Sequence, residues 1–202
     1  MSFYPLMLDG SALTAVIIGG GAVAARKASS LIASGARVRI VAPAVTSELE
    51  KAAGDSSIEI IRERYARDHL GDAQLVIAAT SDDSVNAQVA ADARALGRLV
   101  NVASAPALGN CVTPAVHRAG EVVIAVATGG VPSAAARIRD DLAGKIDNRY
   151  AAAVRELSSL RRSLIDRDQR ARWSSATAAL LDDDFCRRVE SGLFAEALAE
   201  WR

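Results

Sequence analysis

Apolar residues follow two alternating periods along the first hundred positions. Short β-branched or continuous apolar runs at residues 12–18, 37–41, 57–61, 74–79 and 99–102 read as strands. The run QLVIAA is apolar enough for a sheet covered on both faces. Between these runs, helical spacing predicts helices over 22–34, over 47–53 and from Asp82 or Asp83 to near Leu96, with a short helical turn at 66–70. The punctuation agrees: Gly35 sits where a helix C′ residue is wanted, Pro43 stops the second strand, and Thr46 or Ser47 can cap the next helix. Repeated β-α units of this kind predict a doubly wound parallel sheet. Right-handed crossovers would then bring the C-terminal ends of the strands to one edge, where ligands of open α/β sheets bind.

The pattern changes after about Cys111. One or two further strands follow, the clearest at 121–127, with Ala119-Gly120 as the turn before it. From Ser133 onward the spacing is helical: one helix over 133–146, whose start reads either as anion-receiving or as a tight turn with Ser133 as N-cap, a second over 148–166, and one or two more between Gln169 and Trp201 with a break near Asp182. The expected organisation is a dinucleotide-binding domain over 1–110, a small α+β segment over 111–146 and a helical part over 147–202.

Composition narrows the function classes. Half of the 202 residues are apolar, so a sizeable core can form, and the formal net charge is zero, which argues against general affinity for nucleic acid or a membrane surface. No apolar run approaches the ~20 residues of a membrane span. The first ten residues lack a basic region and a cleavage signal, so the expected location is cytoplasmic. Cys111 and Cys186 are read as free thiols, and with His69 and His117 they form no metal-binding spacing, so no metal ligand is assigned. Of the 24 basic residues 21 are arginines, apt bidentate partners for carboxylates or phosphates. The cluster Arg161, Arg162, Arg167, Arg170 and Arg172 is its densest run, within a tail whose charges otherwise read as a solvated face.

Four segments carry candidate chemistry. At the first, Val16-Ile17-Ile18 meets Gly19, Gly20 and Gly21, and a helix begins at once with Ala22 and Val23. That is the strand, glycine turn and helix N-terminus that receive a dinucleotide pyrophosphate, with Gly19 for the turn, Gly20 for close approach of the phosphates and Ala24 for helix-strand packing. Strand two ends at Ala42-Pro43 without the acid that bonds an adenosine ribose or an arginine placed for a 2′-phosphate, and Arg39 could point either way, so these residues do not separate NAD from NADP. The second segment, AATSDDSVN, puts Thr80 and Asp82 at the strand edge, with Asp83 readable as a helix N-cap. The third, NVASAPALGNCVTP, offers Asn101, Ser104 and Asn110. The fourth, ATGGVPSAAARIR, sets Thr128, Gly129 and Gly130 before a helix bearing Arg137, either an anion-receiving helix start or a tight turn.

In order and spacing, these segments resemble the precorrin-2 dehydrogenase and sirohydrochlorin ferrochelatase family, the N-terminal module of siroheme synthase. The likeness runs over about residues 3–145. It rests on Tyr4-Pro5-Leu6, the VGGGxVAxRK pattern over 18–27, VxP over 41–43, AATxDxxxN over 78–86, and partial matches to NVxDxP over 101–106 and TGGxSP with its arginine helix over 128–139. The resemblance implies a Rossmann-type α/β fold and NAD as cofactor. It implies oxidation of precorrin-2 to sirohydrochlorin in siroheme biosynthesis, and a homodimer joined through residues 111–141. Some members also insert ferrous iron. By this likeness Gly19, Gly20, Gly21, Ala22, Val23, Ala42, Pro43, Thr80, Asp82 and Asn101 would hold NAD, and Asn110, Thr128, Gly129, Gly130 and Arg137 the eight-carboxylate tetrapyrrole. Two departures stand out. Ser104 occupies the position of the family's aspartate, its general base and metal-handling group. Val131-Pro132-Ser133 also replaces x-Ser-Pro. A serine hydroxyl is no useful base and a poor iron ligand. Dehydrogenation is therefore expected to survive and chelation to be doubtful, with Asp82, Asp83, Asp140 or Asp141 as candidate substitutes. The alternatives are a bifunctional dehydrogenase-ferrochelatase and a non-catalytic nucleotide- or tetrapyrrole-binding protein.

Overall fold

The computed structural model describes residues 3–53 and 58–202. The first position of the expected third strand, residue 57, lies outside the described residues. The chain divides into two compact units, one ending at Thr113 and the other running from Pro114 to Arg202.

The first unit is the expected parallel sheet. Its strands β1 (Thr14–Ile18), β2 (Arg37–Val41), β3 (Ile58–Ile61), β4 (Leu75–Ala78) and β5 (Leu99–Val102) lie in the order β3-β2-β1-β4-β5. Every pairing is parallel, with Ile18 level with Val41 on one side and with Ala78 on the other. Helices α1 (Ala22–Ile32), α2 (Ser47–Ala52) and α3 (Asp83–Ala95) form three of the four crossovers, and the connection from β3 to β4 carries only the 3-10 turn Arg67–Leu70. Alternation along β1 sorts the core into two layers. Ala15 and Ile17 pack with Val38, Ile40, Ile77, Leu49 and the small face Ala24, Ala25 and Ala28 of α1. Val16 and Ile18 pack with Val76, Ala78, Val100, Val102 and the α3 residues Val89, Ala90 and Ala93. The central strands β1 and β4 are buried along their whole length, as a doubly covered sheet requires.

Strand β1 starts two residues later than the hydrophobic pattern suggests. Asp9 accepts from the Ser11 amide at 3.0 Å and the Ser11 hydroxyl at 2.7 Å, and this folds Gly10–Ala12 into a 3-10 turn. Helix α1 ends at Ile32, and Gly35 takes the left-handed conformation (φ +86°) expected after a helix end.

The second unit opens with an antiparallel hairpin, β6 (Ala115–Ala119) and β7 (Val122–Val126), turned at Gly120 with φ +57°. Helix α4 runs Pro132–Lys145. Its N-cap is Val131 and Pro132 fills the first turn, so Ser133 is not the cap: proline's fixed φ starts the helix one residue earlier. Helix α5 (Asn148–Asp166) is capped by Asp147, which accepts from the Arg149 amide at 2.9 Å. The remainder folds as three short helices, α6 (Arg170–Leu180), α7 (Phe185–Ser191) and α8 (Phe194–Ala199). The break near Asp182 is present, and Gly192 at φ +81° makes a second break that separates α7 from α8. Their core joins Tyr150, Leu157, Leu160 and Leu164 of α5 to Leu180, Val189, Phe194 and Leu198. Among the described residues no helix is long and apolar enough to cross a membrane.

Candidate functional site

The strand order places a switch point between β1 and β4, where the chain leaves in opposite directions and a crevice opens at the C-terminal ends. The glycine turn fills that point. Gly19 donates to the Val41 carbonyl at 3.0 Å while Ala79 donates to the Ile18 carbonyl at 2.8 Å, so the turn is stitched to β2 and β4 at once. A Cβ on Gly19, whose φ is +125°, would lie 2.3 Å from the Ala79 carbonyl oxygen. Only glycine fits there.

Gly20 serves differently from the sequence reading. Its missing Cβ makes room for protein backbone: a methyl would stand 2.1 Å from the Ala44 carbonyl oxygen, and the Gly20 carbonyl accepts from Thr46 at 2.9 Å. Close approach is thus to the β2-α2 loop. The open side belongs to Gly21, where a Cβ would meet nothing within 4 Å. Gly21 is the N-cap of α1 and offers no side-chain cap. The amides of Gly21, Ala22 and Val23 have no acceptor among the described residues, and all three residues are exposed, Val23 by 40%. An uncapped helix start with open space in front of it suits a pyrophosphate. Beside it, Ala42 is buried and Pro43 exposed, and the Thr46 hydroxyl is buried without a partner among the described residues. These residues fit a dinucleotide.

The β4-α3 loop forms the second wall. Asp82, not Asp83, is the N-cap of α3, accepting from the Ser84 amide at 2.9 Å and the Val85 amide at 3.3 Å. The Ser84 hydroxyl, then the Val85 and Ser84 amides, hold the Asp82 carboxyl below the usual carboxylate range. Its carboxylate is therefore committed to the helix.

Behind the loop sits Asn86, 1% exposed. Its Oδ1 accepts from the Thr80 amide at 3.1 Å and lies 2.8 Å from the Thr80 hydroxyl. Its Nδ2 donates to the Thr80 carbonyl at 3.1 Å and to Ser104 Oγ at 3.4 Å. The Ser104 hydroxyl in turn donates to Asp83 Oδ1 at 3.1 Å. A connected chain, Thr80–Asn86–Ser104–Asp83, thus ties the ends of β4 and β5 together. The sequence assigns roles to Thr80 and Ser104 and carries Asn86 only as the last position of the AATxDxxxN match. The available signal was the spacing: an asparagine six residues after Thr80, one turn into the following helix, faces back toward the strand end.

Two further predicted residues, Asn110 and Asn101, bond the backbone around β5. Asn110 donates to the Arg98 carbonyl at 2.9 Å and accepts from the Val100 amide at 2.7 Å. Both partners lie toward the N-terminal end of β5, so the Asn110 side chain covers the sheet edge there. Asn101 is buried; its Nδ2 donates to the Cys111 carbonyl at 3.1 Å, which ties down the returning chain, and its Oδ1 has no partner among the described residues. Lys27 supports the same return by donating to Thr113. Burial, then the neighbouring Arg26, pushes the Lys27 ammonium pKa down, and burial pushes the Cys111 thiol up.

In the second unit Thr128, Gly129 and Gly130 form a tight turn. The Thr128 hydroxyl donates to the Val131 carbonyl at 2.6 Å, Gly130 adopts φ +110°, and a Cβ on either glycine would meet nothing within 4 Å. Arg137 is exposed on α4. Among the described residues no three His, Cys, Asp or Glu side chains converge as metal ligands would.

Residues 6–115 match a family model described as "Putative NAD(P)-binding". The chain belongs to this family. Within this NAD(P)-binding family, it is 38% identical over 167 residues to the siroheme synthase of Saccharophagus degradans, which covers 82% of this chain and 36% of that protein. It is 37% identical over 202 residues to the siroheme synthase of Chromobacterium violaceum, covering 97% and 43%. The chain therefore spans well under half the length of these relatives. A solved structure, that of SirC, a precorrin-2 dehydrogenase, superposes with a TM-score of 0.80 at 27% identity and covers 98% of both chains. The resemblance and the Rossmann-type fold read from the motifs are borne out.

Proposed function

We propose that the chain oxidises precorrin-2 to sirohydrochlorin with NAD as hydride acceptor. The observation that carries this reading is the uncapped α1 start at Gly21, open in front and set at the switch point of the sheet. The likeness to SirC over 98% of both chains supports the substrate. When bound, NAD+ supplies the two-electron acceptor. The protein's part is to hold it: the amides of Gly21, Ala22 and Val23 would receive the pyrophosphate, with Thr80 and Pro43 flanking the crevice.

The choice of NAD over NADP also has support. Arg39 is committed to Glu59 at 3.0 Å and to Asp72 at 3.8 Å, and Arg62 to Glu50 at 2.5 Å. Neither is spare for a 2′-phosphate, whose recognition calls for a nearby arginine. The expected result is a kcat/KM for NAD+ at least about tenfold above that for NADP+, a difference of ~1.4 kcal/mol. Equal values would contradict the assignment.

A homodimer through residues 111–141 fits the hairpin unit. β7 keeps its valines only half-buried, α4 buries Ala135 alone, and Val131 and Ile138 are 53% and 46% exposed. A two-stranded hairpin is marginal without a further partner. Ferrous iron as a second substrate has weaker support, because Ser104 and Asp83 supply one hydroxyl and one carboxylate and, among the described residues, no three His, Cys, Asp or Glu side chains converge. A cytoplasmic setting fits the free thiols Cys111 and Cys186.

A further inference from the structure

Oxidation of a tetrapyrrole removes a hydride and a proton, so the crevice needs a proton acceptor as well as a nicotinamide. Among the described residues the loops that leave β1, β4 and β5 carry two carboxylates, Asp82 and Asp83, and no histidine. Asp82 is spent on capping α3. Asp83 is exposed, and the only hydrogen bond it receives among the described residues comes from the Ser104 hydroxyl on Oδ1, which leaves Oδ2 free. Ser104 is itself held by the buried Asn86, whose amide is locked by Thr80. A serine hydroxyl cannot take the proton, but it can aim a group that does.

We infer that Asp83 is the proton acceptor of the dehydrogenation, positioned by Ser104 and the Asn86–Thr80 pair behind it. This rests on the precorrin-2 reading above. One substrate C–H bond breaks and its electron pair leaves with the hydrogen for the nicotinamide ring, so that NAD+ becomes NADH. The second hydrogen passes as a proton to Asp83 Oδ2, and the pair that bound it stays in the macrocycle as a new double bond. Water then removes the proton from the carboxyl. The sum is precorrin-2 plus NAD+ giving sirohydrochlorin, NADH and a proton. Hydride loss leaves a positive macrocycle, which makes the second hydrogen acidic enough for a carboxylate to accept.

Asp83→Asn keeps an oxygen for the Ser104 hydroxyl and so preserves the loop. It should lower kcat by about 100-fold, the scale of a lost general base, and leave the Kd of NAD+ within about twofold of wild type. Ser104→Ala should lower kcat by about tenfold at unchanged KM, Ser104→Thr should restore it, and the double variant Asp83→Asn/Ser104→Ala should be no slower than Asp83→Asn alone, since the two act as one unit. A readout independent of turnover is binding of sirohydrochlorin without NAD, followed by its visible bands. Removing a negative charge beside this polycarboxylate should tighten its Kd several-fold in Asp83→Asn. An active wild type with an Asp83→Asn variant of equal kcat and equal sirohydrochlorin affinity overturns the inference and leaves the dehydrogenase reading standing. A wild type that makes no NADH from precorrin-2 overturns both.

Discussion

Replacing Gly21 with aspartate should leave the chain as stable as before, or slightly more so, and should weaken NAD+ binding by about 100-fold, or ~2.7 kcal/mol. Gly21 has φ −84° and ψ −174°, an extended conformation open to any residue, and a side chain there meets nothing within 4 Å. An aspartate at this N-cap would turn its carboxylate onto the free amides of the first turn, a contact that gains a few tenths of a kcal/mol over glycine. The same carboxylate would occupy the place of the pyrophosphate and repel it. The opposed signs make the test informative, because a merely damaged protein would lose both properties. Thermal unfolding of the free protein and calorimetric titration with NAD+ read the two effects separately. Unchanged NAD+ affinity would place the dinucleotide somewhere other than this helix start.

Asn86→Ala is expected to act in the opposite way, through stability first. The side chain is 1% exposed and bonds the Thr80 amide and carbonyl and Ser104 Oγ. Its removal strands two part-buried backbone groups and opens a small void, at a cost of about 3 kcal/mol. For a chain of this size that corresponds to a fall of roughly 10 °C in Tm. Below the transition the variant should still turn over slowly, because Ser104 loses one of its two partners and no longer aims at Asp83. Asn86→Asp should not rescue it, because the carboxylate has no donor for the Thr80 carbonyl. A loss below about 0.5 kcal/mol would show that this amide is not the anchor of the loop.

Much of this was legible in the sequence because backbone periodicity alone decides it. Val16, Ile17 and Ile18 running into three glycines and then a small-residue helix leave a parallel β-α unit as the natural reading, and repetition of such units implies a doubly wound sheet, whose order β3-β2-β1-β4-β5 comes from the structure. What the sequence could not resolve turns on side-chain direction and single dihedrals. Asp82 and Asp83 are adjacent and chemically alike; which one caps α3 depends on where helical φ/ψ begins, and that fixes which carboxylate stays free. That the chain doubles back after β5 and sets the Asn110 amide against its edge depends on the loop's path, which the residue pattern does not carry. Gly20 carries a family glycine for a reason invisible in sequence, the passage of the Ala44 carbonyl. Ser104 read alone was a loss; beside Asp83 it becomes a hydrogen-bond donor with a target.

The central claim is that this crevice couples a dinucleotide to tetrapyrrole oxidation. It is tested most directly by incubating the purified chain with precorrin-2 and NAD+ and following NADH and sirohydrochlorin together. The account predicts that both accumulate at equal rates, one NADH for each sirohydrochlorin, and that neither forms when NAD+ is omitted. Tight binding of NAD+ without either product, or sirohydrochlorin formed at a rate indifferent to NAD+, would contradict it.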